Sequence, residues 1–116
     1  MPSAAPLRLA INGYGRIGRC FLRALLESPS AGHLEVVAIN EPANLESMAY
    51  LTRYDSTHGR LRGEVGVSGS ALAIDGRRIE VSHARTPEAV DWRALDIDLL
   101  IESSGGYGQR AELTRF

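Results

Sequence analysis

LRLAINGYGRIGRCFLRALLES, residues 7–28, is the stretch on which the fold turns. Leu7 to Asn12 is a compact apolar run, as expected of a strand buried on both faces of a parallel sheet. Gly13-Tyr14-Gly15-Arg16-Ile17-Gly18 follows as a tight turn. From Arg16 to Ser28 the residues Ile17, Phe21, Ala24 and Leu25 recur at helical spacing, so they share one face, the expected apolar stripe, and Pro29 stops the helix. LEVVAIN, Leu34 to Asn40, is a second buried strand. Strand, glycine turn, helix, strand makes a βαβ unit, whose crossover is expected to be right-handed.

Each glycine of the turn has a physical task. Gly13 allows the sharp exit from the strand, Gly15 lets backbone approach a pyrophosphate, and Gly18 lets helix and strand pack closely. The amides near Arg16 and Ile17 then face an anion from a helix N-terminus, aided by the helix dipole. The pattern G-x-G-x-x-G is weak alone, but here a buried strand precedes it, a helix opens within it, and an acid closes the next strand. That acid, Glu41, stands about 20 residues past the turn, where a carboxylate accepts the hydroxyls of an adenine ribose. Its charge repels a 2′-phosphate and no Arg follows it directly, so NAD is expected rather than NADP.

Outward from this unit, Pro42 closes the second strand and Asn44 is placed to cap a helix over Leu45 to Tyr54. Glu64 to Val67, Ala71 to Ile74 and Arg77 to Ser82 read as short strands, with Asp75-Gly76 as a type I′ hairpin turn between the last two. Thr86 to Leu95 reads as a turn and short helix. Ile97 to Glu102 is another buried strand, followed by the small-residue turn Ser103-Ser104-Gly105-Gly106, and Gln109 to Phe116 begins a helix. The expectation is an α/β Rossmann-type, doubly wound, mostly parallel sheet with an inserted antiparallel hairpin, truncated at its C-terminus.

The remaining composition excludes more than it assigns. With 116 residues the chain is one domain at most, and 44% hydrophobic and 23% charged residues are ordinary for a globular protein. A net charge of -1 speaks against nucleic acid as a partner. All 13 basic residues are arginine, so no lysine is available for Schiff-base chemistry. The single cysteine makes an internal disulfide impossible and a reducing cytoplasm the default. No apolar run is long enough to span a bilayer. Met1 to Pro6 lack a signal-peptide pattern and read as a short leader.

Taken together, AINGYGRIGR (Ala10 to Arg19), VVAINE (Val36 to Glu41), YDSTHGR (Tyr54 to Arg60) and DWRALDIDLLIESSG (Asp91 to Gly105) resemble, in order and spacing, the N-terminal part of the glyceraldehyde-3-phosphate dehydrogenase family, its erythrose-4-phosphate branch included. The resemblance covers the chain from Leu7 onward. It implies that Arg16 and Ile17 contact the pyrophosphate and that Glu41 holds the adenosine ribose. It also implies that Arg85 lies on a loop bordering the adenine and that Ser104 and Gly105 stand beside the nicotinamide. The family usually has Asp where Glu41 stands; Glu resembles the erythrose-4-phosphate branch. Gly106 replaces a commonly bulkier residue. Complete members oxidise a sugar-phosphate aldehyde through a cysteine thioester, with hydride passing to NAD, and are usually homotetramers.

The residues that would perform that chemistry are absent here. The family's Ser-Cys-Thr-Thr-Asn stretch does not occur, and neither does its catalytic domain, so residues 7–116 are expected to be an incomplete NAD-binding domain without turnover. Cys20 falls inside the first helix and reads as a packing residue. His58 has no nucleophile beside it and reads as structural. His33 and His83 have no metal-ligand spacing to another His or Cys. Two other readings stand beside the enzyme fragment: a non-catalytic NAD-binding module, and a piece that binds nothing well because its sheet has an unpaired edge.

Overall fold

A computed structural model describes residues 6–27, 32–55, 59–60, 64–74, 76–103 and 112–115. The first strand, β1 (Leu7–Asn12), leads through the glycine turn into α1 (Arg16–Glu27) and back to β2 (Leu34–Asn40). Then come α2 (Leu45–Arg53), a two-residue ribbon of β3 (Tyr54–Asp55) and β4 (Gly59–Arg60), and a meander of β5 (Val65–Ser68), β6 (Ala71–Ile74) and β7 (Arg77–Ser82). A 3-10 turn at Pro87–Ala89 precedes β8 (Leu99–Glu102) and β9 (Glu112–Arg115). The main sheet has the order β5-β6-β7-β2-β1-β8-β9.

Strands β7, β2, β1 and β8 run parallel, and β5, β6 and β9 are antiparallel additions at the two sides. The expected α/β architecture is therefore present. The inserted hairpin is more than an insertion, because its last strand, β7, also serves as a parallel strand beside β2. Its turns are both two residues long. Ile74 faces Arg77 across Asp75-Gly76, with Gly76 at φ +82°, and Ser68 faces Ala71 across Gly69-Ser70, with Gly69 at φ +61°. Such backbone favours glycine, which has no Cβ to clash.

Two apolar layers enclose the sheet. On one face Leu9, Ile11, Ile39, Leu72, Ile74, Ile79 and Ile101 pack with Leu22 of α1 and Met48 and Ala49 of α2. On the other, Ala10, Val37, Ala38 and Leu100 pack with Trp92 and Ile97. Arg8 fastens the second layer at the sheet's lower end. Its Nε donates to the Asp96 carbonyl at 3.0 Å, its Nη2 to the Leu95 carbonyl at 3.0 Å, and its amide to Asp98 Oδ2 at 2.8 Å. The β1–β2 pairing shifts register between Leu9 and Ala10: Leu9 faces Val36, whereas Ala10 faces Ala38. Val37 is the surplus residue of a bulge.

Two expectations need correction. The stripe of α1 is rotated from the one expected: Ile17 and Ala24 are exposed, while Gly18, Leu22 and Arg23 are buried and Phe21 and Leu25 pack beside them. The close seating of Gly18 on the turn sets this rotation, overriding the apolar count. Residues 112–115 form a strand, not a helix, pairing antiparallel with β8 from Leu99↔Arg115 to Glu102↔Glu112. That pairing satisfies backbone groups on the side of β8 away from β1, which helical residues would leave open.

The capping of α2 is as expected: the Asn44 side chain accepts from the Ser47 amide at 2.8 Å. Glu46 in the first turn and Arg53 in the last complement the helix dipole. Substituting Asn44 by Ala removes the acceptor and is expected to cost about 1 kcal/mol, read as a lower urea midpoint with unchanged slope.

Candidate functional site: a dinucleotide cradle at the strand ends

The glycine turn lies at the carboxyl end of β1, where open α/β sheets bind ligands. Gly13 leaves the strand at φ +94° and donates its amide to the Asn40 carbonyl at 2.8 Å. A Cβ at Gly18 would lie 2.5 Å from the Gly13 carbonyl oxygen, 3.0 Å from Ser103 Oγ and 3.1 Å from Ile11 Cγ2. Helix α1 thus meets the turn at a distance only glycine allows. A Cβ at Gly15, by contrast, would meet nothing within 4 Å, and Gly15, Arg16 and Ile17 are all exposed at the helix N-terminus. Gly18 closes the inner side of the turn and Gly15 leaves its outer side open, at a helix N-terminus of the kind that can hold an anion.

Glu41 stands over this turn. Its Oε1 accepts from the Tyr14 amide at 2.7 Å and its Oε2 from the Ala43 amide at 2.9 Å. Each oxygen keeps further acceptor capacity, so the pair can also receive the two hydroxyls of a ribose. Tyr14 itself is buried. Thr52 Oγ1 donates to the Met48 carbonyl, so the Tyr14 hydroxyl must donate to Thr52. This ties the turn to α2.

The structure also brings forward residues that the sequence reading missed. Ser82, Asn40, Asn12 and Glu102 end the four parallel strands and stand side by side in register. Asn12 Nδ2 donates to Glu102 Oε2 at 2.8 Å, Asn40 Nδ2 to Asn12 Oδ1 at 2.8 Å, and Ser82 Oγ to Asn40 Oδ1 at 2.8 Å. The available signal is that three of the four runs, LRLAIN, LEVVAIN and LLIE, are mainly apolar and close on a polar residue. Ser103 is a second omission. Its Oγ donates to the Gly13 carbonyl at 2.7 Å and its amide to the Asn12 carbonyl at 2.8 Å, pinning the turn after β8 to the turn after β1.

His83, which has no metal-ligand spacing in the sequence, lies between two carbonyls: its Nδ1 is 2.8 Å from those of both Glu41 and Ala43. Since both partners accept, Nδ1 carries the proton. Arg85 is exposed on the loop leaving β7, at the same end of the sheet as Glu41. Ser104, Gly105 and His58 lie outside the described residues. Cys20 is half-buried within α1. Among the described residues no group of His, Cys, Asp and Glu could hold a metal ion, and no helix is long and apolar enough to cross a membrane.

A strand-end glycine turn, an open helix N-terminus and an acid at the end of the neighbouring strand define a dinucleotide-binding α/β domain. The comparisons specify it further. A family model described as "Glyceraldehyde 3-phosphate dehydrogenase, NAD binding domain" matches residues 7–110. The chain is 46% identical over 99 residues to the plasmid glyceraldehyde-3-phosphate dehydrogenase of Cupriavidus necator, covering 85% of this chain and 30% of that protein. It is 39% identical over 109 residues to the glyceraldehyde-3-phosphate dehydrogenase of Geobacillus stearothermophilus, covering 94% of this chain and 32% of that protein. The chain belongs to the glyceraldehyde-3-phosphate dehydrogenase NAD-binding domain family, and it spans about a third of the length of the curated relatives it matches.

Proposed function

We propose that this chain holds NAD for a phosphorylating aldehyde dehydrogenase that oxidises a sugar-phosphate aldehyde through a cysteine thioester. The carrying observation is the cradle: Gly18 jammed against the Gly13 carbonyl, open space over Gly15, and the Glu41 carboxylate fixed above them. In this reading the amides at Arg16 and Ile17 face the pyrophosphate, Glu41 receives the adenosine ribose, and Arg85 borders the adenine. The family resemblance assigns Ser104 and Gly105 to the nicotinamide. NAD, when bound, supplies the hydride acceptor; the chain's own residues bind it, orient it and exclude a 2′-phosphate.

The nucleophile is not provided by the described thiol. Cys20 is half-buried within α1, and no second cysteine exists in the sequence. Glyceraldehyde 3-phosphate is the substrate suggested by the names of the relatives. Glu41, in place of the family's usual Asp, supports erythrose 4-phosphate as the second reading. A cytoplasmic, tetrameric complete enzyme fits both.

Calorimetric titration of the purified chain tests the reading. NAD is expected to bind saturably and NADP more weakly, with no NADH formed from either aldehyde phosphate. Absence of NAD binding, or equal affinity for NADP, would count against the assignment; NADH formation would overturn the placement of the chemistry elsewhere.

A further inference from the structure

We infer that Asn40 is a positioning residue for the adenosine end of the site, acting through Ala84 to seat Arg85; the inference rests on the NAD reading above. Asn40 is 1% exposed, and its carboxamide has two donor hydrogens and two acceptor positions. All four are used. Nδ2 donates to Asn12 Oδ1 at 2.8 Å and to the Ala84 carbonyl at 2.9 Å, while Oδ1 accepts from Ser82 Oγ at 2.8 Å and from the Ala84 amide at 2.9 Å.

The two contacts with Ala84 form a closed pair. The side-chain amide of Asn40 meets both the N–H and the C=O of one residue, as a neighbouring strand would. Strand β7 ends at Ser82, so the side chain extends the sheet's hold past the last ladder pair, Asn40↔Ser82. Alanine at 84 has no side chain that could anchor the loop itself. Arg85 is the next residue and is exposed, and its backbone start point is therefore set by Asn40.

A second lacing holds the opposite wall of the same mouth. The Glu41 amide donates to the Ser82 carbonyl at 2.9 Å, and His83 Nδ1 reaches the carbonyls of Glu41 and Ala43. The loops carrying Glu41 and Arg85 are thus tied to each other before any ligand arrives. Binding to groups already held in place avoids the entropy of ordering a loop, which shows as affinity.

The test is a double-mutant cycle on the full chain with Asn40→Ala, Arg85→Ala and the two combined. The probes are ADP-ribose, which carries the adenosine half, and nicotinamide mononucleotide, which does not. Asn40→Ala is expected to weaken ADP-ribose about tenfold and to leave nicotinamide mononucleotide within about twofold, a factor of ten being 1.4 kcal/mol. The double variant is expected to bind ADP-ribose no more weakly than Arg85→Ala alone. Losses that multiply, or equal losses for both probes, would show a merely structural role and overturn the inference. Failure of the unmodified chain to bind ADP-ribose would instead overturn the cofactor reading, and this inference with it. Hydrogen exchange on the unmodified chain decides the matter even if Asn40→Ala fails to fold: the Ala84 amide is expected to be protected without ligand, and rapid exchange there would overturn the clamp.

Discussion

Replacing Gly18 by alanine is expected to destabilise the chain by about 2–3 kcal/mol, and by valine to prevent folding under ordinary conditions. The added Cβ would sit 2.5 Å from the Gly13 carbonyl oxygen, a backbone atom that cannot swing aside as a flexible side chain can. Moving it breaks the 2.7 Å hydrogen bond from Ser103 Oγ and disturbs the 2.8 Å bond from the Gly13 amide to Asn40. Helix α1 would have to rise off the sheet, loosening Leu22 from Ile11 and its neighbours in the core. Since domains of this size are stable by only about 5–15 kcal/mol, the alanine loss is a large fraction of the total. Urea unfolding checks it, with NAD calorimetry on the folded fraction. A Gly18→Ala chain with an unchanged midpoint would show that the close approach is not what Gly18 is for. Gly15→Ala serves as contrast: a methyl there meets nothing within 4 Å, so stability should hold and only ligand affinity should fall.

The second large effect concerns Glu41. Substitution by alanine is expected to weaken NAD by about ten- to a hundredfold, the worth of about 1.5–3 kcal/mol carried by hydrogen bonds to a charged group. NADP should lose little, because the repulsion of its 2′-phosphate disappears with the same carboxylate. The ratio of the two affinities, measured by calorimetry at fixed salt, therefore carries the signal. Glutamine is no remedy, since its NH2 would face either the Tyr14 or the Ala43 amide, donor against donor. Glu41→Asp keeps the charge and should keep the preference for NAD. If alanine left the NAD-to-NADP ratio unchanged, Glu41 would be a loop-fastening residue only.

Much of this was legible in the sequence because local and tertiary demands agree there. Leu7–Asn12, the glycine turn and Leu34–Asn40 form the expected strand–turn–strand frame, and Asn44 caps α2 as its type and place imply. The phase of α1 was not legible. Counting apolar residues put Ile17 and Ala24 inward, but a single backbone contact at Gly18 decides the rotation and leaves both exposed. Glu112–Arg115 has a helical pattern, yet these residues find hydrogen-bond partners on β8 that override it.

Within the site, Gly13, Gly15, Arg16, Ile17, Gly18 and Glu41 came together because they are near neighbours in the motif or end adjacent strands. The row of Ser82, Asn40, Asn12 and Glu102 was hidden because its members lie far apart in the chain. Only the strand order and register bring them side by side. In the sequence Ser103 is one small residue among several, although its hydroxyl is what meets the turn.

The surplus residue in β2 governs more than a local kink. Below it, Leu34 and Val36 share the layer of Ile39; at the bulge Val37 and Ala38 both turn to the opposite layer. Strand side chains alternate strictly, so one extra residue reverses the parity of everything downstream. Had the lower register of Leu9↔Val36 continued, Asn12 would stand opposite Ile39, and the Asn40 carboxamide would point toward α1. The strand is out of step with itself by one residue, and that half-turn of phase aligns its terminal amide with the loop it holds.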